Sequence, residues 1–267
     1  MRQGVIYVAE GRDYLDLACA SVASLRRLNP GIVVDLFTDQ AQVTAGLFDA
    51  IQPIPAGAGR AKVMCMARTR FQRTLFLDCD TLALGPLGDA FDVLDRFELA
   101  ATHDMRRASA LIREGHAETT PYAFPQLNTG VMLYRRSPAM DAFLAQWDAH
   151  YRAAGKGRDQ ITFKDLLWRS DLRFYVLPTE FNLRRTTLLD AWEPLDALPV
   201  FLHSHRLLEH LRRSGAGRIT SVDAVIALER GARAAEWADL GLPDPAGQAS
   251  GLCDLFHRAE ALARTTP

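Results

Sequence analysis

The stretch RTLFLDCDTLAL, residues 73–84, ends an apolar run on two carboxylates. The run at 75–77 predicts a buried strand, and Asp78 and Asp80 follow it with one residue between them. Residues i and i+2 of an extended chain point to the same side, so both carboxylates can face one spot. Two like charges there require a cation, and hard oxygen ligands suit Mg²⁺ or Mn²⁺. The alternative is that one aspartate caps the following turn and the other is solvated, because short motifs also match by chance.

The composition of the chain is that of an ordinary globular protein. Its 267 residues, 48% of them hydrophobic, are enough for one large domain or for one and a half. The net charge of −1 provides no overall field that would recruit nucleic acid or an anionic membrane. Only three of its 31 basic residues are lysines, so binding of phosphate or carboxylate would mostly use guanidinium groups.

The spacing of the cysteines and the length of the apolar runs indicate the cellular compartment in which the protein is expected. The four cysteines lie far apart without C-x-x-C spacing, which excludes a zinc framework and a secreted disulfide scaffold. The N-terminal apolar run is too short for a signal peptide, and no stretch approaches the roughly 18 apolar residues of a membrane span. We therefore expect a reduced, cytoplasmic protein, with peripheral contact at the inner face of a membrane as the alternative.

Strand and helix patterns alternate over the first 155 residues. This alternation predicts an α/β fold with a mostly parallel sheet and helices on its faces. Strands are predicted at 4–10, 32–39, 49–55, 75–77, 98–104 and 128–136. Helices are predicted at 13–29, 60–70, 86–97 and 221–240, and a further one begins after Ser137, with Pro138 as its first residue.

Two segments are harder to interpret. The segment 105–126 has poor periodicity between two predicted strands, which is typical of a lid or a binding loop. The amphipathic segment LCDLFHRAEALAR, residues 252–264, follows a break rich in Pro and Gly. We expect it to pack on the body or on a partner subunit, which allows a homodimer. A membrane-surface role is less favoured because its polar face is not strongly basic.

The order of six segments resembles that of GT-A fold glycosyltransferases, closest in style to family 8 and its bacterial relatives. RTLFLDCDTLALGPL resembles the D-x-D segment of that family, and GRAKVMCMARTRFQ the helix that lines its nucleotide-sugar site. The family's strand with an Asn-x-Gly motif is resembled by QLNTGVMLYRRSP, and its "D-Q" helix by GRDQITFKDLLWR. Its late strand, whose histidine completes a metal site, is resembled by PVFLHSHRL. DAFDVLDRFELAATHD resembles the helix and strand that follow the D-x-D.

The resemblance implies a fold, an activity and a domain division. The fold would be GT-A: a mixed, mostly parallel sheet flanked by helices, with a helical C-terminal extension. Residues 1–207 would form the catalytic domain, and 208–267 an extension that packs on it or contacts the acceptor or a partner. The activity would be metal-dependent transfer of a sugar from a nucleotide-diphospho-sugar, usually a UDP-sugar, to a saccharide or other hydroxyl acceptor. Anomeric configuration would be retained, and the acceptor would meet the 105–126 loop and the C-terminal region.

The resemblance also implies a metal site and a donor site. Asp78, Asp80 and His203 would hold Mn²⁺ or Mg²⁺, with His205 as the alternative histidine because both histidines are expected on one strand face. A neutral imidazole nitrogen favours Mn²⁺ over Mg²⁺. Cys79 is a weaker candidate ligand in an oxygen-rich site.

Further site residues follow from matching positions. Those implied to contact the donor or to act in catalysis are Val8, Ala9, Arg60, Lys62, Asn128, Asp159 and Gln160. Each polar one has a structural alternative: Asn128 as a turn residue, Asp159 as a helix N-cap, and Arg60 and Lys62 as solvated charges. Tyr14 would lie near the nucleoside, but its place on an apolar stripe favours core packing.

The chain departs from the family after His203. Family 8 proteins commonly follow the metal histidine with a glycine and a K-P-W segment that helps to hold the phosphates, whereas this chain has HSHRLLEHLRR. Arg206, Arg212 and Arg213 are candidates to replace that lysine. An inverting enzyme would instead need a carboxylate base, for which Asp104 and Glu180 are candidates.

Three other classes of protein were weighed against this interpretation. A haloacid-dehalogenase-type phosphatase also ends a strand on D-x-D, but its motif normally follows the first strand and carries a further residue before its threonine. A sugar-nucleotide pyrophosphorylase needs a Gly-rich, basic N-terminal loop, which VAEGRDYLD does not provide. An inactive relative that binds only a nucleotide or a protein is the third, and an intact set of Asp78, Asp80 and His203 argues against it.

Overall fold

The computed structural model describes residues 2–44, 46–57, 60–105, 115–124, 126–155, 157–213 and 217–241. Residues 106–114 and 125 of the predicted 105–126 loop and the whole segment 252–264 lie outside the described residues. Within those residues, no helix is both long enough and apolar enough to cross a bilayer.

Nine strands are found in the part of the chain that the structure describes. They are β1 (Gln3–Ala9), β2 (Val34–Thr38), β3 (Ala50–Pro53), β4 (Arg73–Leu77), β5 (Thr81–Ala83), β6 (Leu99–His103), β7 (Leu127–Arg135), β8 (Phe174–Leu177) and β9 (Phe201–His203). Seven form one sheet in the order β3-β2-β1-β4-β7-β6-β8. All neighbours run parallel except β7, which is antiparallel to both β4 and β6. The predicted mixed, mostly parallel sheet is confirmed, and β8 is an addition to it.

Six α-helices surround this sheet within the described residues. They are α1 (Arg12–Leu28), α2 (Ala61–Ala67), α3 (Pro138–Ala153), α4 (Asp159–Arg169), α5 (Arg206–Leu211) and α6 (Val222–Asp239). Ser137 caps α3 as predicted, since its side chain accepts a hydrogen bond from the amide of Met140. The segment predicted as a helix at 86–97 forms only a short 3₁₀ helix, Ala90–Asp95. The predicted domain boundary at 207 falls inside α5.

The core has two layers because the central strands are covered on both faces. Leu75 and Leu77 of β4 pack in one cluster with the buried side of α1, and Phe76 packs in the other with α2, α3 and α4. A strand buried on both faces has a continuous apolar sequence rather than an alternating one. This explains why residues 75–77 of β4 form a continuous apolar run that ends only at Asp78, beyond the last residue of the strand.

The carboxyl edge of the sheet is where the polar side chains of interest gather. Because β7 is antiparallel, its first residues lie beside the last residues of β4 and β6: Leu77 pairs with Val131, and His103 with Leu127. A second, two-stranded sheet pairs β5 with β9 and sets Thr81 opposite His203. That pairing brings the late histidine of the chain next to the turn that carries Asp80.

Candidate active site

Asp78, Asp80 and His203 form a cluster at this edge. The Nε2 atom of His203 lies 3.3 Å from Asp80 Oδ1 and 3.9 Å from Asp78 Oδ2. One ligand atom from each residue lies within 4.8 Å of the others, the only such group among the described residues. The two carboxylates meet through a turn at 79–80 rather than along an extended strand, since β4 ends at Leu77.

The charge state of the cluster suits a cation. Burial alone would raise the pKa of Asp80, but the charge and hydrogen bond of His203 outweigh it and lower that pKa to about 2. Asp80 is therefore ionised at neutral pH. The glycine at position 130 keeps the space beside His203 open, because a Cβ there would stand 2.2 Å from Cε1 of His203. Two carboxylates, an imidazole and the space between them fit a divalent ion with mixed oxygen and nitrogen ligands.

The tautomer of His203 is fixed by a chain of amides that starts at the backbone. The N–H of Gly130 donates to Asn128 Oδ1 (3.0 Å), which also accepts from Asn182 Nδ2 (2.9 Å). The oxygen of Asn182 therefore faces Nδ1 of His203 at 3.0 Å, so Nδ1 carries the proton. In the neutral ring, the form that binds a metal, the lone pair of Nε2 is then directed to the side of the two carboxylates, as in metal sites where the second ring nitrogen is held by a hydrogen bond.

Asn128 also contacts the residues implied to act on the sugar. Its Nδ2 donates to Gln160 Oε1 (3.2 Å) and to Asp104 Oδ2 (3.3 Å), and Gln160 Nε2 donates to the same oxygen at 2.8 Å. The turn alternative for Asn128 is wrong, because this residue lies inside β7 and is buried. The structure thus brings Asn128, Gln160 and Asp104 into one hydrogen-bonded network beside the cluster.

Lys62 and Arg60 meet Asp159 on the other side of the cluster. Lys62 is buried, and its Nζ lies 3.5 Å from Asp78 Oδ1, 3.4 Å from Asp159 Oδ2 and 3.0 Å from Thr129 Oγ1. Arg60 Nε lies 3.2 Å from Asp159 Oδ2. Although burial would raise the pKa of Asp159, the charges of Lys62 and Arg60 lower it. Lys62 is therefore not a solvated helix charge.

Asp159 itself does not cap a helix. It is the first residue of α4, and Arg158 occupies the N-cap position without a side-chain hydrogen bond. The carboxylate instead turns towards Arg60 and Lys62, as described above. The N-cap alternative is wrong because these two cations hold the side chain away from the amides of the first helical turn.

Val8, Ala9 and Tyr14 lie where β1 passes into α1. Val8 is half-buried, Ala9 is buried, and the carbonyl of Val8 accepts a hydrogen bond from the thiol of Cys79 at 3.3 Å. Cys79 therefore points to β1 and is not part of the metal cluster. The core-packing prediction for Tyr14 is wrong: its side chain is exposed, and partial burial together with the charge of Asp80 raises its pKa. The residue of the first turn of α1 that enters the core is its neighbour, Leu15.

His205 does not share a strand face with His203. Strand β9 ends at His203, and His205 is the N-cap of α5, with its Nε2 3.8 Å from Glu209 Oε1. The expectation of a common strand face is wrong, because β9 ends at His203 and the chain has already reached the start of α5 at His205. Partial burial and the positive charges of Arg184 and Arg206 lower the pKa of His205.

Arg184 is a site residue that sequence reasoning missed. Its Nη1 lies 3.6 Å from Asp104 Oδ2, and its charge contributes to the lowered pKa of Asp80. The expected arginines lie elsewhere: Arg206 pairs with Glu229 and Glu236, and Arg212 pairs with Asp13 at 2.9 Å. Only the adjacent pair of arginines at 184 and 185 could have drawn attention to this position.

Loss of the Asn182 amide should weaken metal binding without unfolding the protein. In Asn182→Ala, Nδ1 of His203 loses its acceptor, and we expect Mn²⁺ affinity to fall by about 10–100-fold, the usual effect of losing such a partner. Titration of Mn²⁺, followed by electron paramagnetic resonance, measures this change directly. Asn182→Asp keeps the acceptor oxygen and should retain most of the affinity. Unchanged Mn²⁺ binding by Asn182→Ala would contradict the role assigned to this amide.

No protein-family model and no curated protein matches the chain. Its fold does match solved structures. The galactosyltransferase LgtC, in complex with donor and acceptor sugar analogues, is 14% identical, with a TM-score of 0.57 over 85% of this chain and 95% of that one. GlyE, a glycosyltransferase of Streptococcus pneumoniae, is 14% identical, with a TM-score of 0.57 over 91% of this chain and 66% of its own. Mouse xyloside xylosyltransferase 1 is 15% identical, with a TM-score of 0.51 over 77% of this chain and 98% of its own. The chain therefore has the GT-A fold of these glycosyltransferases.

Proposed function

We propose that the protein transfers a sugar from a nucleotide-diphospho-sugar, with UDP as the nucleotide, to a hydroxyl group of a saccharide or glycoconjugate. The observation that carries this proposal is the cluster of Asp78, Asp80 and His203 at the carboxyl edge of a GT-A sheet. Ligands of open α/β sheets bind at that edge. A histidine completes the cluster, rather than the further carboxylates that a dehalogenase-type phosphatase would use.

The cluster would hold Mn²⁺, with Mg²⁺ as the alternative ion. Asp78 and Asp80 would offer carboxylate oxygens, and His203 would offer Nε2, the ring nitrogen that faces them. The imidazole nitrogen is the reason to prefer Mn²⁺. When bound, a divalent ion supplies a Lewis acid that stabilises the charge of a departing diphosphate.

The donor would lie along the edge from β1 to α4. Val8, Ala9 and the exposed ring of Tyr14 would contact the nucleoside, because they surround the end of β1 next to the cluster. Lys62 and Asp159 would meet the donor sugar and the phosphate next to it. Lys62 is buried and Asp159 is half-buried, and the ammonium group of Lys62 lies between Asp159 and Asp78 of the cluster. Arg60 would border the donor sugar on the solvent side, since this more exposed side chain forms an ion pair with Asp159.

Retention is the outcome that the polar network favours. In a retaining transfer, the bond from the anomeric carbon to the diphosphate oxygen breaks and the bond to the acceptor oxygen forms on the same face. The acceptor proton passes to the diphosphate. Oδ2 of Asp104 accepts hydrogen bonds from Gln160 and Asn128 and faces Arg184. These contacts favour a positioning role for Asp104 over that of the general base that an inverting enzyme requires.

A panel of nucleoside diphosphates tests the donor class. With Mn²⁺ present, UDP at a hundred times its dissociation constant should stabilise the protein by about 2.7 kcal/mol, which is a rise of a few degrees in unfolding temperature. EDTA should abolish the response, and ADP, GDP and CDP should give smaller ones. No response to any nucleotide, together with Mg²⁺-dependent phosphatase activity, would contradict the proposal and favour the phosphatase.

A further inference from the structure

A cavity of about 470 Å³ adjoins the candidate active site. It lies between the segment 184–187 and helix α6, and its walls include Asp104, Arg184, Arg185 and Trp237. Its volume is within the usual range of small-molecule pockets, about 300–1,000 Å³. None of the residues assigned above to the metal or to the donor lines it.

The cavity and the proposed donor site meet the reaction centre from different directions. Along the sheet edge the order is β1, β4, β7 and β6, so Ala9 and Asp78 lie on one side of Asn128, and Asp104 lies on the other. Asp104 lines the cavity and also accepts a hydrogen bond from Gln160. A molecule in the cavity would therefore reach the reaction centre beside Asp104, without crossing the nucleotide.

The charges in the cavity are unbalanced in favour of arginine. Its carboxylates are Asp104, Glu229 and Glu236, and the two glutamates are both engaged with Arg206. Glu229 also accepts a hydrogen bond from Ser204. The remaining carboxylate, that of Asp104, lines the cavity together with Arg184, Arg185 and Arg233, and its Oδ2 lies 3.6 Å from Arg184 Nη1.

The guanidinium of Arg184 has unused hydrogen-bonding capacity. Its nearest carboxylate oxygen, on Asp104, is 3.6 Å away, beyond hydrogen-bond distance. Its Nε is buried and has no hydrogen-bond partner among the described residues. Unpaired buried donors of this kind are costly, and guanidinium groups match phosphate and carboxylate oxygens in a two-point geometry.

We propose that this cavity receives the acceptor, and that Arg184 and Arg185 select acceptors that carry an anionic group, phosphate or carboxylate, close to the reacting hydroxyl. The proposal rests on the proposed glycosyl transfer and adds the substrate class of its second site. Trp237 offers a flat apolar surface on the opposite wall for the sugar ring of such an acceptor. The donor diphosphate is the other anion that these two arginines could bind. The metal cluster and Lys62, however, would bind the diphosphate from the opposite side of the reaction centre.

The test measures anion binding to protein whose donor site is already filled. The protein is saturated with Mn²⁺ and UDP, and glucose 6-phosphate, glucuronate, inorganic phosphate and methyl glucoside are titrated into it by calorimetry. The variants are Arg184→Gln, Arg185→Gln and the double variant. Arg173→Gln, an exposed arginine on the β8 side of the sheet, is the matched control for charge.

We expect saturable binding of at least one of the three anions, and weaker or undetectable binding of methyl glucoside. The double variant should bind that anion at least tenfold more weakly, and Arg173→Gln should bind it as the wild type does. The glucose 6-phosphate and glucuronate titrations decide between phosphate and carboxylate.

Three results would overturn the inference: absence of saturable anion binding, equal losses in the control variant, or displacement of UDP by the anions. The last result would assign the two arginines to the donor diphosphate. Failure of the protein to bind UDP with Mn²⁺ at the start would instead contradict the proposed function, so the two failures can be told apart.

Discussion

Asp80→Asn is expected to lower Mn²⁺ affinity by at least a hundredfold and to abolish the Mn²⁺-dependent stabilisation by UDP. Asp80 is the carboxylate nearest to His203, and its low pKa keeps it ionised at neutral pH. Asparagine has nearly the same shape, so the turn at 79–80 should keep its backbone bond from the amide of Ser204 to the carbonyl of residue 80. The substitution removes the negative charge of residue 80 and should keep the fold intact. Mn²⁺ titration monitored by electron paramagnetic resonance measures the affinity, and circular dichroism checks the fold.

The control for this variant is Asp171→Asn, which removes an exposed carboxylate after α4. It should bind Mn²⁺ as the wild type does. If Asp80→Asn also retained wild-type affinity, the metal would have to bind elsewhere, and the proposed role of the D-x-D would be wrong.

Gly130→Ala should damage the same cluster by steric means alone. A Cβ at residue 130 would stand 2.2 Å from His203 Cε1 and 2.7 Å from Asp78 Oδ2, far inside van der Waals distance. His203 cannot easily retreat, because β9 pairing and Asn182 hold it. We expect Mn²⁺ binding to be lost and stability to fall by about 1–3 kcal/mol, the usual effect of overpacking. Calorimetric titration of Mn²⁺ and thermal unfolding in EDTA measure the two effects separately.

Gly157→Ala is the matched control, since a Cβ at residue 157 meets no atom within 4 Å. It should leave both Mn²⁺ affinity and stability close to those of the wild type. Wild-type Mn²⁺ binding by Gly130→Ala would show that the cluster tolerates a displacement of His203, and would argue against a tightly built metal site.

The central part of the sheet could be predicted from the sequence because burial dominates it. Strands β1, β2 and β4 are covered on both faces, so their apolar runs stand out from any other pattern. Strand β8 was missed because it is a short edge strand with two of its four residues exposed. Strand β5 has three residues, and its pairing with β9 joins positions more than a hundred residues apart, which no local pattern encodes.

The residues of the candidate site also divide into those that the sequence pattern indicates and those that only the fold brings together. The two aspartates could be found because a charge directly after a buried strand is unusual. Asn182 and Arg184 could not, because their importance comes from partners that only the fold brings near. Tyr14 shows how a helical pattern misleads at the end of a helix. Its spacing matches the buried stripe of α1, but the adjacent Leu15 matches it equally well and is the residue of the first turn that is buried.

Helix α6, which forms one wall of the acceptor cavity proposed above, contributes little to the apolar core. Only Val225 is buried among its 18 residues, whereas ion pairs join its glutamates to Arg206 and its Arg230 to Asp190. The residues proposed to bind the donor, by contrast, lie on or next to β1, α1, α2 and α4, elements whose buried side chains form the core. Natural selection could therefore alter the exposed residues of α6 at little cost in stability. On our proposal, descendants of this protein could acquire new acceptors while they keep the same nucleotide chemistry.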